Sequence, residues 1–193
     1  TRPFVAHAFE RNIEFLETVP RMVHITQEAY SRMWHFVDIA DEEVGWLGTA
    51  YRLGGSVLIK EVFLLHQEVS GTRTEISTEG IARLSSELLS SREDGVDALD
   101  ALRFWGHSHV RMGTSPSGQD DSQMDMFKDN GCTWFVRGIL NKLGRMQFDI
   151  FLWDTGVMLR DVPWAIHPEV DYSEREDIES EIKEKVVSSP VVV

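Results

Sequence analysis

The chain has 193 residues, 42% of them hydrophobic and 26% charged, which is enough for one soluble domain with a real core. Its net charge of −13 argues against nucleic acid as a partner, because a phosphate backbone calls for a basic face. One cysteine, Cys132, excludes an intramolecular disulfide and a Cys-rich zinc knuckle, and no apolar run is long enough to span a bilayer, so the cytoplasm is the default location.

In chain order, residues 3–17 carry Val5, Phe9, Ile13 and Leu16 near helical spacing, and Pro20 closes the segment. Residues 22–26 read as a short strand. Thr26 is placed to cap a helix over 27–40, with Tyr30, Met33, Trp34 and Val37 on one face. Strands follow over 43–53 and 56–69, joined at Gly54-Gly55 as a hairpin or as sheet neighbours. Residues 71–78 are polar and extended. A helix over 79–92 buries Ile81, Leu84, Leu88 and Leu89, and REDGVDA reads as a loop. Residues 101–109 form an apolar strand that runs into two histidines. A Gly, Pro and Ser loop covers 110–118, and 119–129 suits a short helix. Strands over 133–142 and 145–154 meet at a tight turn at Leu143-Gly144, with a last strand over 156–162. From Asp171 the chain is acidic and suits a solvent-exposed helix. The order is not an alternating βαβ series, so a mixed, largely antiparallel sheet flanked by helices is expected.

The informative stretch is GHSHVRMGTSPSGQD, 106–120. His107 and His109 are i and i+2, so on a strand they point to the same side, with Ser108 opposite. Two imidazoles converging from one strand end can grip one ion, for which zinc is the natural candidate. Asp120, beyond the loop, is a third ligand or a plain helix N-cap. A catalytic zinc keeps one position for water, and that water needs a carboxylate that is not itself a ligand to move its proton. Glu42 and Glu43, at the head of an apolar strand, are the candidates, and desolvation there raises a carboxyl pKa. The Ser117 hydroxyl can donate to a developing oxyanion or simply serve a turn. Asp121 reads as a solvated first-turn carboxylate. Trp46, Trp105 and Trp134 read as core, and Cys132 has no histidine to activate it.

His-x-His, seven residues, Ser, two residues, Asp, with a glutamate on an upstream strand, resembles the JAMM motif of the MPN-plus metalloproteases. The resemblance spans roughly residues 22–162. It implies an α/β fold, a single MPN-like domain over 22–165 with cytidine-deaminase-like layering, between an N-terminal helical extension (1–21) and an acidic tail (166–193). It implies His107, His109 and Asp120 as ligands of one catalytic Zn2+, Ser117 as oxyanion helper and a glutamate as acid/base. Glu42 stands three residues before Gly45. Glu43 heads the apolar run, four residues before Leu47, and is preferred. The implied activity is that of a deubiquitinase-like isopeptidase or peptidase, of a bacterial or phage type, cutting after the C-terminal Gly-Gly of a ubiquitin-like protein. The family's second pattern is a scaffold without activity, and the flanking segments leave room for a homo- or hetero-oligomer. The aromatic common in the loop of eukaryotic members is missing from Ser115-Pro116-Ser117. Residues 65–78, polar and rich in Thr, read either as a connecting loop or as an edge that accepts a substrate tail as an added strand.

Overall fold

A computed structural model describes residues 19–67, 76–110 and 112–167. The helix expected over 3–17, the acidic tail and most of the 71–78 segment lie outside the described residues. Eight strands form one curled, mixed sheet: β1 (Met22–Ile25), β2 (Gly45–Leu53), β3 (Ser56–Leu64), β4 (Leu102–Ser108), β5 (Trp134–Leu140), β6 (Met146–Leu152), β7 (Val157–Leu159) and β8 (Trp164–Ile166). Four helices accompany them: α1 (Gln27–Ile39), α2 (Thr78–Ser91), α3 (Gly95–Asp100) and α4 (Gly118–Asp129). The strand order is β7-β6-β5-β4-β2-β3-β1-β8. Pairs β1–β3, β1–β8 and β4–β5 are parallel and the other four are antiparallel, so the sheet is more evenly mixed than expected. No helix among the described residues is long and apolar enough to cross a membrane.

Local chemistry accounts for most of these boundaries. Thr26 caps α1: its hydroxyl accepts from Ala29 N at 3.2 Å and donates to Lys60 O at 2.7 Å, which ties the helix start to β3. Ser77 caps α2 through Gly80 N at 2.9 Å. Gly54, at φ 57, turns β2 into β3. Between β5 and β6, Gly144 takes φ 82 and the side-chain Oδ1 of the buried Asn141 accepts from Leu143 N and Arg145 N.

Several expected elements need correction. Residues 43–44 precede β2 rather than belonging to it, and β3 ends at Leu64 rather than reaching 69. Of residues 92–98, expected as loop, 95–98 belong to the short α3, whose Ala98 is buried under the sheet. The strand expected over 156–162 is only Val157–Leu159, and the unexpected β8 pairs in parallel with β1. On α2, Leu84 and Leu88 are buried as expected, but Leu89 faces out, 52% exposed.

The sheet carries a core on each face. On one, α1 lays Met33 and Val37 against Trp46, Phe104, Phe148 and Ile150. On the other, α2, α3 and α4 cover Leu47, Trp105, Phe135 and Phe151. The curl brings Phe148 of β6 within 6.4 Å of Trp164 of β8, ring to ring, although the two strands lie far apart in the sheet order. Trp46 and Trp105 are buried as expected, while Trp134 is half-buried.

On the α1 face, two glycines make room for aromatic rings. A Cβ on Gly106 would stand 2.2 Å from Trp46 Nε1, and one on Gly138 would stand 2.8 Å from a Phe104 ring carbon. The Trp46 ring therefore packs against β4 at Gly106, the residue before the first histidine. Overfilled cores typically lose about 1–3 kcal/mol. Gly106→Ala is expected to lose at least that much, read as a lower urea midpoint at constant slope. An unchanged midpoint would mean that Trp46 has room to swing aside.

Candidate metal centre

β4 is a central strand, with β2 on one side and β5 on the other. Its alternation puts Trp105, His107 and then His109 on the face covered by α2, α3 and α4. The His107 ring stacks on Trp105 at 4.5 Å and 17°. His109 follows the last strand residue, but its N–H still donates to Leu140 O at 2.7 Å, so the ladder to β5 extends to it. The next turn of chain is also tied down. Lys142 N donates to Val110 O at 3.1 Å, and Asn141 Nδ2 donates to Met112 O at 2.8 Å. The His109 ring then meets Gly113 O through Nδ1 at 2.7 Å. With Nδ1–H donating there, the neutral ring can present its Nε2 lone pair inward.

The third group comes from the start of α4. Ser117 is the N-cap and Asp120 is the third helical residue, so Asp120 is not the cap that its position suggested. The two form a reciprocal capping box: Asp120 N donates to Ser117 Oγ at 3.3 Å, and Ser117 N donates to Asp120 Oδ2 at 2.6 Å. This leaves Asp120 Oδ1 facing His107 Nε2 at 3.0 Å. The two histidine Nε2 atoms stand 3.0 Å apart, and His109 Nε2 is 3.6 Å from Asp120 Oδ2.

These separations fit a bound cation. Two ligand atoms ~2.05 Å from an ion at the tetrahedral angle stand ~3.3 Å from each other. All three side chains are buried, and their ligand atoms cluster closely enough for one metal ion. Two nitrogens and one carboxylate oxygen make a donor set suited to a divalent first-row transition ion. His107 Nδ1 is buried and has no hydrogen-bond partner among the described residues.

The electrostatics point the same way. Burial works to raise the Asp120 pKa, but hydrogen bonds from both histidines outweigh it and hold the carboxyl well below the usual range. Burial opposes the charged form of His109, yet its bonds to Asp120 and Gly113 O raise its pKa overall. His107, fully enclosed, is pushed down by burial despite Asp120. Its neutral form is the one that ligates metal.

Glu43 and Glu42 fall in different places. Glu43 is buried and lines the same cleft of about 300 Å³ as His107, His109, Ser117 and Asp120, whereas Glu42 is exposed and outside it. Burial raises the Glu43 pKa, His109 offsets part of that, and Asp120 adds to it. The segment carrying Glu43 is held by Ser108, whose side chain points away from the metal ligands. Its Oγ accepts from Val44 N at 3.0 Å, and its N–H donates to Val44 O at 2.9 Å. Gln67 adds a second brace: its side chain pairs with both Gly45 N (2.7 Å) and Gly45 O (2.9 Å) like one more strand residue. Neither Ser108 nor Gln67 was singled out from the sequence, and only pairing between distant segments reveals them.

Asp121 is not merely solvated. It is 51% exposed, but it pairs at 2.8 Å with Arg137, which is fully buried. Here the sequence held a signal, since WFVRGIL and MQFDIFL each carry one charge inside an apolar strand. Buried charges of that kind are paired. Cys132 is half-buried and its thiol pKa is pushed up by burial, which suppresses the nucleophilic thiolate.

No family profile matches the sequence, and neither does any curated protein. Solved structures do share its fold. Among them is the solution structure of DSY2949 from Desulfitobacterium hafniense, with a TM-score of 0.53 at 14% identity, covering 79% of this chain and 97% of that one. At that identity the likeness concerns fold alone, and it accords with the mixed α/β architecture.

The pKa directions carry a pH dependence for the metal-free protein. Asp120, held low, contributes stability above the ordinary carboxyl value of about 3.9 that is lost as pH falls toward its folded value. His109, raised, contributes below about 6.5 and loses its contribution as pH rises through its folded value. His107, lowered, acts in the opposite sense over that range, so the two histidines offset each other. Asp120→Asn is expected to lower stability at neutral pH and to flatten the loss below about pH 4, followed by urea unfolding across a pH series. An acid limb of unaltered steepness would place the acid-sensitive group elsewhere.

Proposed function

We propose that this chain is a JAMM-type, zinc-dependent peptidase or isopeptidase that cuts after the C-terminus of ubiquitin or a ubiquitin-like protein. One observation carries the reading. The motif's His107, His109 and Asp120 converge at 3.0–3.6 Å, and the cleft they share with Ser117 contains one buried carboxylate outside the ligand set, Glu43. A bound zinc supplies Lewis acidity, which eases deprotonation of a water and draws charge from a carbonyl oxygen.

The remaining chemistry falls to the chain's own side chains. Glu43, with its pKa raised by burial, takes a proton from the attacking water as that oxygen bonds to the scissile carbonyl carbon. The carbonyl oxygen then carries negative charge. Among the described residues, Ser117 Oγ accepts only from Asp120 N, which leaves its own proton to donate to that oxygen. Glu43 returns its proton to the leaving nitrogen as the C–N bond breaks, giving a carboxylate and an amine. The two roles of Ser117, helix cap and oxyanion donor, use different parts of one hydroxyl and do not compete.

The test pairs zinc analysis with cleavage of a ubiquitin-like fusion joined through Gly-Gly. Wild type should hold about one zinc per chain, the fourth position being kept for water. His109→Ala should lose both zinc and cleavage. Glu43→Gln should keep zinc and lose cleavage by on the order of 10²–10⁴-fold, the usual size of general acid–base catalysis. Ser117→Ala should lower kcat and also cost about 1 kcal/mol of stability as a lost cap. Cleavage by Glu43→Gln at the parent rate would remove Glu43 from the mechanism, and a wild type that takes up no zinc would sink the assignment.

A further inference from the structure

We infer that Arg137, acting through Asp121, is the positioning residue that seats the start of α4 over β4 and so presents Asp120 to the metal. The inference rests on the metal-binding reading of His107, His109 and Asp120.

Arg137 lies on β5 beside Trp105 in the register, on the same face as the histidines, and is fully buried. Its guanidinium lies over the Phe151 ring, 5.1 Å from the centroid. Nη2 and Nε donate to Asp149 Oδ2 at 2.5 and 3.2 Å. Asp149 is itself fixed, because its Oδ1 accepts from Asp161 N at 2.9 Å. The guanidinium plane is therefore set by the sheet before α4 is considered. Its remaining limb, Nη1, donates at 2.8 Å to Asp121 Oδ1, in the first turn of that helix.

Charge balance shows what this third contact does. The buried Arg137–Asp149 pair is already neutral, and Asp149 alone meets that need. Asp121 adds a second carboxylate, half in water, so its bond to Arg137 is a geometric tie rather than a neutralising one. Apolar packing of Met124 and Phe127 also holds α4 down, but such contacts are non-directional and let a helix slide. A guanidinium held in one plane has direction. Metal ligation is exacting, with bond lengths tolerated within about 0.2 Å. Asp120 and Asp121 are consecutive on one rigid helix, so fixing one fixes the other.

The experiment titrates Zn2+ and Co2+ into the purified full chain. Asp121→Ala is compared with Asp125→Ala, which removes the same charge from the exposed side of the same helix. For Asp121→Ala the Kd for zinc should rise on the order of 10–100-fold, the usual effect of losing a group that orients a ligand. The visible bands of the cobalt form should weaken as four-coordinate geometry is lost. Asp125→Ala should match the parent, Asp121→Glu should recover part of the affinity, and the metal-free Tm of Asp121→Ala should stay close to that of Asp125→Ala. A zinc Kd for Asp121→Ala equal to that of Asp125→Ala overturns the inference, even if Tm falls, because a merely structural clamp would do that. A parent that binds neither ion overturns the metal reading, and this inference with it; the parent titration thus tells the two failures apart.

Discussion

Two histidine nitrogens, each able to present a lone pair, stand 3.0 Å apart in a buried pocket with a carboxylate against them. Such a cluster is unfavourable unless positive charge lies among its members, either shared protons or a cation. Burying ionisable groups is costly in itself, and the cost is recovered only when the geometry is good and every remaining lone pair is met. Much of the surrounding structure meets that condition. Gly113 O fixes the His109 ring, Trp105 backs His107, and Ser117 N holds one oxygen of Asp120 so that the other faces inward.

The two faces of β4 divide the labour. On the α1 side, Gly106 lets Trp46 lie against the strand, and this large rigid ring supports the backbone from behind. On the other side the same strand presents His107. Between the histidines, Ser108 points away from the candidate metal site and anchors Val44, so the residue that separates the two histidines also sets the segment carrying Glu43. The i, i+2 spacing therefore fixes two parts of the site at once: two ligands on one face, and on the other the tether that delivers the nearby carboxylate.

Parts of this were legible in the sequence and parts were not, for identifiable reasons. Hydrophobic periodicity marked α1 and α2 because each buries one continuous face, and the main strands stood out as apolar runs because the sheet is covered on both faces. The polar stretch 106–120 marked the candidate metal centre because its residue types and spacing are chemically specific. α3 escaped because GVDALD is only six residues long and opens on glycine. β8 escaped because its three residues gain their pairing from β1, about 140 positions earlier, so no local pattern announces it. The bond from Asp121 to Arg137 went unseen because its partner's depth is a property of the sheet. Of the neighbouring glutamates the resemblance preferred Glu43, and the approach of the chain to β2 leaves Glu43 buried and Glu42 exposed.

Ser117 and Asp120 each belong to two systems. Together they close the first turn of α4, and together they border the candidate metal centre. Helix initiation is the unfavourable step in helix formation, so the bonds that start α4 have leverage over the whole element. An ion held by Asp120 would bind the chain only with that turn formed, which would couple metal binding to the seating of α4 through simple mass action. The Arg137–Asp149 pair supplies the opposite anchor, fixed in the sheet whether or not metal is bound. Between those two anchors the helix start has one position that satisfies both, and in that position the carboxylate of Asp120 meets the imidazoles of His107 and His109.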